Sequence, residues 1–151
     1  MIVRNDILFS SVKELLNEKM EVKVLVKGDS MLPFLRTGDM VALRKPHRLR
    51  TGMIALVEPS EGVYILHRIV KLNDDDMVLY GDGNIGIKEK VPYTAVVAVV
   101  QRVYRGKRVI NYGSFMWKIQ NKLWPNNKLV RKYALKVYKK GVKQLNKNKQ
   151  L

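Results

Sequence analysis

Val63-Tyr64-Ile65-Leu66-His67-Arg68-Ile69-Val70-Lys71 is the stretch on which the fold turns. It is rich in β-branched and aromatic residues, and turn formers bound it on both sides: Glu58-Pro59-Ser60-Glu61-Gly62 before, Asn73-Asp74-Asp75-Asp76 after. That is the composition of a strand between tight turns. Working outward, residues 40–43 and 53–57 are apolar runs, each opened by a Thr-Gly turn, Thr37-Gly38 and Thr51-Gly52, fourteen residues apart. Residues 21–27 alternate apolar and polar until Gly28 breaks them. Residues 77–80, 95–104 and 109–112 read as further strands, with a loop after Gly81-Asp82-Gly83-Asn84 and a turn at Arg105-Gly106-Lys107. About seven short strands joined by turns predict a mainly antiparallel, barrel-like β domain.

The ends of the chain change period. Asn5 or Asp6 is placed to cap a helix over residues 6–19, with Ile7, Leu8, Val12, Leu15 and Leu16 on one face. After Gly113, the residues Phe115, Met116, Ile119 and Leu123 suit a helix that ends before Pro125. Asn126 or Asn127 is placed to cap another, along which Leu129, Val130, Tyr133, Ala134, Val137, Tyr138, Val142 and Leu145 form an apolar stripe. Lys128, Arg131, Lys132, Lys136, Lys139, Lys140 and Lys143 fill much of its remaining surface.

The chain has 151 residues and a formal net charge of +16, with 29 basic and 13 acidic side chains. This length fits one ordinary domain. All 13 acidic residues lie at or before Glu89, where 13 basic ones balance them, so the whole excess falls in residues 90–151. A body balanced over residues 1–89 and a cationic remainder are therefore expected, with a β domain over residues 1–112 and a basic helical tail over residues 113–151. The absence of cysteine excludes a disulfide scaffold, a thiol nucleophile and a thiolate zinc site. No cofactor and no metal are implied. Near the N-terminus Asp6, Lys13, Glu14 and Glu18 interrupt every apolar run that would make a signal peptide or membrane anchor. The expectation is a cytoplasmic chain, free or held at the inner face of a membrane.

Few residues are equipped for chemistry. Of the two histidines, His47 follows Pro46 in a basic loop and reads as solvated. His67 shares a strand face with Val63, Ile65 and Ile69, which is compatible with a core histidine as well as a functional one. Ser30 sits at the exit of a glycine-broken strand in Lys27-Gly28-Asp29-Ser30-Met31-Leu32-Pro33. A serine there is either a turn residue bonding its own backbone or a nucleophile beside amides suited to an oxyanion.

Taken together, these segments resemble the signal-peptidase/LexA-type serine peptidases. Gly28-Asp29-Ser30-Met31-Leu32-Pro33-Phe34-Leu35-Arg36-Thr37-Gly38-Asp39 resembles their nucleophile box, His67-Arg68-Ile69-Val70 their second box, and Gly81-Asp82-Gly83-Asn84 their third. The histidine in the second box is similar to the endoplasmic-reticulum and archaeal type, where bacterial enzymes carry a lysine. Lys107-Arg108-Val109-Ile110 imitates that lysine box but follows the third box. The resemblance implies Ser30 as nucleophile, His67 as general base and Asp82 as the nearest carboxylate for a third role, a turn role being the alternative. It further implies that Gly28, Asp29, Met31 and Pro33 shape the nucleophile loop, with the Ser30 N–H as main oxyanion donor. Gly38, Asp39, Arg68, Gly81 and Asn84 are then structural motif positions. Ile85-Gly86-Ile87-Lys88 replaces the aspartates expected after the third box, and Gly28 stands where some bacterial enzymes have a hydroxyl.

The expected activity is signal-peptidase-like serine endoproteolysis of a leader or propeptide, on extended substrates with small side chains before the cut. A LexA-type self-cleaving regulator is one alternative, although 20 residues before the first strand leave little room for a helix-turn-helix. A catalytically idle binding module using the tail is another. For the tail, a Trp- and Tyr-bearing apolar stripe beside a Lys-rich face suits an anionic membrane interface. Packing on the β domain is the alternative, and nucleic acid fits less well for want of a groove-reading motif.

Overall fold

The computed structural model describes residues 2–3, 6–18, 20–124 and 127–148, with side chains within 11–18, 20–124 and 127–143. The expected side-chain roles of Asn5, Asp6, Ile7, Leu8, Asn126 and Leu145 lie outside these described residues. The strand run quoted above forms β5 (Val63–Leu72), the hub of the sheet. Around it lie β1 (Ile2–Val3), β2 (Val22–Leu25), β3 (Met40–Arg44), β4 (Ile54–Ser60), β6 (Asp76–Tyr80), β7 (Glu89–Pro92), β8 (Val96–Arg105) and β9 (Arg108–Asn111). Helix α1 (Asp6–Asn17) precedes β2, and α2 (Phe115–Leu123) and α3 (Lys128–Asn148) follow β9.

Every pairing is antiparallel, in the order β2-β3-β8-β4-β5-β6-β7, with β1 on β5 and β9 on β8. The mainly β, antiparallel expectation holds. Closure does not: among the described residues β2 and β7 end the path unpaired to each other, so the sheet is open rather than a barrel. The strands β1 and β7 were not foreseen; β7 falls in what reads as loop.

The central strands are buried on both faces, which explains their continuous rather than alternating apolar runs. Along β4, Ile54 and Leu56 enter one cluster with Val12 and Leu16 of α1 and with Val41, Leu43, Val100 and Trp117. Ala55 and Val57 face the other way, toward Ile69, Met77, Leu79 and Val91. Leu15, expected with Val12 and Leu16, is exposed instead. Trp117 of α2 is 3% exposed, so the segment beginning at residue 113 contributes to the core of the body.

Asn127 caps α3, its Oδ1 accepting from the Leu129 and Val130 amides at 2.9 and 3.4 Å. The stripe expected on α3 splits in two. Ala134, Tyr138 and Val142 are half-buried, whereas Leu129, Val130, Tyr133 and Val137 are exposed, and the buried apolar residue of the helix is Leu135, which the expected stripe did not include. Arg131, grouped by sequence with the surface cations, is among the most buried side chains, at 2% exposed. No helix among the described residues is long and apolar enough to cross a membrane.

Candidate active site

The nucleophile-box loop is tied at its base. The Val26 amide donates to the Asp39 carbonyl at 2.8 Å and the Gly38 amide to the Val26 carbonyl at 3.0 Å. Gly28 N–H donates to Thr37 Oγ1 at 3.0 Å. The Asp39 carboxylate is buried and takes the Arg36 amide at 2.9 Å. It also takes a two-pronged contact from Arg105, Nε at 2.8 Å and the terminal nitrogen at 2.6 Å. Arg105 in turn donates to the Phe34 carbonyl at 2.8 Å, so it ties the middle of the loop to its end at Asp39. Met31 and Leu35 anchor the same loop in the core. Asp29 points outward, with Lys139 at 3.8 Å; Pro33 is half-buried.

Sheet register brings the second and third boxes to this loop. Arg68 pairs with Tyr80, so Gly81, one step beyond, comes opposite His67. A Cβ at Gly81 would sit 2.5 Å from the Ser30 carbonyl oxygen, 2.7 Å from Asn84 Nδ2 and 2.8 Å from His67 Nε2. The Ser30 main-chain carbonyl and the imidazole thus both border Gly81, and only a glycine leaves that space open. The next turn residue locks the approach: Gly83 N–H donates to the Ser30 carbonyl at 2.7 Å, and a Cβ there would meet the Asp29 carbonyl at 2.1 Å.

The other imidazole nitrogen finds a carboxylate that the sequence reading missed. His67 Nδ1 lies 2.9 Å from Glu89 Oε2. Glu89 opposes Leu79, which opposes Ile69, so it shares a face with His67 across the intervening strand β6. The 3% exposure of His67 makes the imidazolium costly, and burial accordingly lowers its pKa below the ordinary histidine value. The Glu89 carboxylate and, more weakly, that of Asp82 pull the other way.

Asp82 is therefore not the group on Nδ1. Its carboxylate is buried against Arg68, with Nε at 2.8 and 3.1 Å and a terminal nitrogen at 2.6 Å. Arg68 also donates to the Gly52 carbonyl at 3.0 Å and to Asn121 Oδ1. The tail closes this cluster. Trp124 Nε1 donates to the Asp82 carbonyl at 2.9 Å, and Arg131 donates to the Gly81 carbonyl at 3.0 Å. The Arg131 guanidinium lies 3.9 Å from the Tyr80 ring centroid. Arg105, Asn121 and Arg131 carried no recognisable sequence signal, because each acts on main-chain carbonyls or motif carboxylates from a distant segment.

His47 is exposed, and Lys107 and Arg108 lie at the β8–β9 turn. Among the described residues no three His, Asp or Glu side chains converge in a way that would hold a metal ion. No family model matches the chain, and no curated protein matches it.

Proposed function

We propose that the protein is a serine endopeptidase of the signal-peptidase-like, histidine-dependent type, with Ser30 as nucleophile, His67 as general base and Glu89 as the residue that orients His67. What supports the reading is that the Ser30 main chain and His67 Nε2 both approach Gly81, which puts the nucleophile-box loop beside the imidazole, with Glu89 on the opposite imidazole nitrogen.

With Nδ1–H directed at Glu89, Nε2 is the nitrogen that carries the lone pair. As the Ser30 hydroxyl oxygen attacks a peptide carbonyl, its proton passes to Nε2. The oxyanion is met by backbone amides of the nucleophile loop, the Ser30 N–H first among them. The imidazolium then protonates the leaving amine, the C–N bond breaks, and an acyl-Ser30 ester remains. Water, deprotonated by the same nitrogen, hydrolyses the ester and restores the serine. Because burial keeps the imidazole neutral, the base is competent at and below neutral pH. The substrate class is an extended leader or propeptide segment added to a sheet edge, with small residues before the cut.

Phosphonylation by a fluorophosphonate, in which the Ser30 oxygen bonds phosphorus and fluoride leaves, read as a mass increase on the Ser30 peptide, tests this without knowledge of the natural substrate. Ser30→Ala abolishes labelling, and His67→Gln slows it by about 10²–10⁴, the ordinary contribution of a general base. The deep burial of His67 and the helix laid over its loop favour one other reading, an idle binding module on the same fold. Wild-type protein that neither labels at Ser30 nor cuts a mixed peptide library would establish that reading instead.

A further inference from the structure

Helices α2 and α3 use one face each to pack on the body and leave another apolar face uncovered. On α3 the packed side is Arg131 and Leu135, at 2% and 5% exposure. Val130, Tyr133 and Val137 follow one another at helical spacing on a different side, with Tyr133 71% and Val137 52% exposed. Lys132, Lys136 and Lys140, all exposed, line the sector beside that band. On α2 the packed residue is Trp117, while Phe115, Met116 and Leu123 are exposed beside exposed Lys118 and Lys122. Solvation explains a lysine-rich face; it does not explain aliphatic and aromatic side chains presented at its centre.

We propose that these outer faces of α2 and α3 seat the protein on an anionic lipid surface, the apolar bands entering the headgroup–acyl boundary and the lysines meeting the lipid phosphates. Two properties select this occupant. Residues 113–151, which carry both helices, hold 11 basic residues and no acidic one, so a second copy of the same face meets strong like-charge repulsion. Nucleic acid would satisfy the lysines but not the band of Val130, Val137 and Leu123, which offers nothing to a phosphate or a base edge. A helix with an apolar strip bordered by lysines matches an interfacial lipid site on both counts.

The inference stands apart from the peptidase reading, and where both hold it adds to it. The Ser30 loop lies on the packed side of α3, with Asp29 near Lys139 and Arg36 over the Tyr138 ring, so it would stand about one helix diameter, 10–12 Å, from the bilayer surface. The substrate class is then peptide segments that are themselves held at the membrane.

Flotation of the full chain with vesicles is the test, comparing phosphatidylcholine alone with a phosphatidylcholine–phosphatidylglycerol mixture. The expected result is binding to the mixture only, weakened but not abolished by added salt. Val137→Asp and Leu123→Asp, both at exposed positions, are each expected to weaken it about tenfold. Val137→Ser should weaken it in the same direction, and all three should leave the melting temperature unchanged. Ser30→Ala should bind as wild type, so a failed peptidase reading leaves this result standing. The proposal is overturned if wild type ignores phosphatidylglycerol vesicles, or if the Asp and Ser variants bind undiminished. It is equally overturned if sedimentation shows a self-associated wild type that Val137→Asp dissolves, or if a nucleic acid duplex displaces the protein from the vesicles.

Discussion

Glu89→Gln is the substitution that bears hardest on the proposed chemistry. It preserves size, and the Glu89 side chain is 22% exposed, so the fold should tolerate it. The carboxylate can only accept, and at 2.9 Å it fixes the tautomer with the proton on Nδ1. An amide can accept or donate, so the tautomer with its proton on Nε2, useless as a base toward Ser30, becomes populated. The amide also cannot balance the imidazolium formed during attack. A charge-assisted hydrogen bond of this kind contributes about 1.5–3 kcal/mol. At about 1.4 kcal/mol per tenfold, the rate of Ser30 labelling should fall roughly ten- to a hundredfold. Burial lowers the His67 pKa while Glu89 raises it, so removing the charge lets it fall further. The acid limb of the labelling rate should therefore move to lower pH, which a merely structural defect would not produce. The assay is the fluorophosphonate rate at Ser30 against pH, paired with imidazole NMR. With two histidines in the chain and His47 exposed, assignment is direct. A labelling rate within about twofold of wild type, with an unmoved acid limb, would refute the assignment of Glu89.

Gly81→Ala should cut labelling by more than its stability cost, about 1–3 kcal/mol for an overpacked site, because the new Cβ meets main chain at Ser30 and the imidazole at once; equal losses of rate in Gly81→Ala and in a remote variant of matched stability would contradict this. Asp82→Asn should lower stability by about 3–5 kcal/mol, since it strands the buried Arg68 charge, measured by denaturant unfolding; a loss under about 1 kcal/mol would show the pair to be solvated. Stability should also fall as pH drops through the histidine range. In the unfolded chain His67 takes up its proton near the ordinary value of about 6.5, whereas the folded protein resists it until lower pH, so the contribution is complete above that value and lost below it; His67→Gln should flatten that part of the curve. Deleting residues 113–151 should strongly destabilise the body rather than leave it intact, because Trp117 alone is comparable with a large core truncation of about 3–5 kcal/mol; a truncated protein melting within a few degrees of wild type would show otherwise.

Much of this architecture is legible in local pattern. The turns at 58–62 and 73–76, the apolar runs between them and the change of period after Gly113 rest on short-range rules, and β4, β5, β6, β8 and α2 form close to those positions. Glu89 shows where such rules stop. The strand β7 has four residues, ends in proline and buries Val91 alone, too little alternation to stand out from a loop. Its register against β6, which puts Glu89 beside His67, is a property of three strands together. Asp82 fails for the opposite reason. Proximity in sequence to the third-box glycines made it the nearest carboxylate, but Arg68, directly after His67, turns to the other side of β5 and claims it. Closure of the sheet is likewise a long-range property: the edges β2 and β7 are 64 residues apart between Leu25 and Glu89, and nothing local states whether they meet.

Arg131 connects these threads. A buried guanidinium is costly unless its donors are used, and here they are spent on the Gly81 and Asn84 carbonyls, with the charge lying against the Tyr80 ring. That arrangement makes sense if the Gly81-to-Asn84 turn must be held still, because the turn itself supplies no side chain that could anchor it at Gly81 or Gly83. The Asp82 carbonyl is held by Trp124, the Asp82 carboxylate by Arg68 and the Gly83 amide by the Ser30 carbonyl, so each residue from 81 to 84 is braced from outside the turn, three of the contacts coming from Trp124 and Arg131 of the tail. Gly81, which the Ser30 main-chain carbonyl and His67 Nε2 both approach, lies within this braced turn. A cationic tail whose inner side chains hold the turn and whose outer side chains remain apolar and exposed is therefore better read as the wall of the site than as an appendage to it.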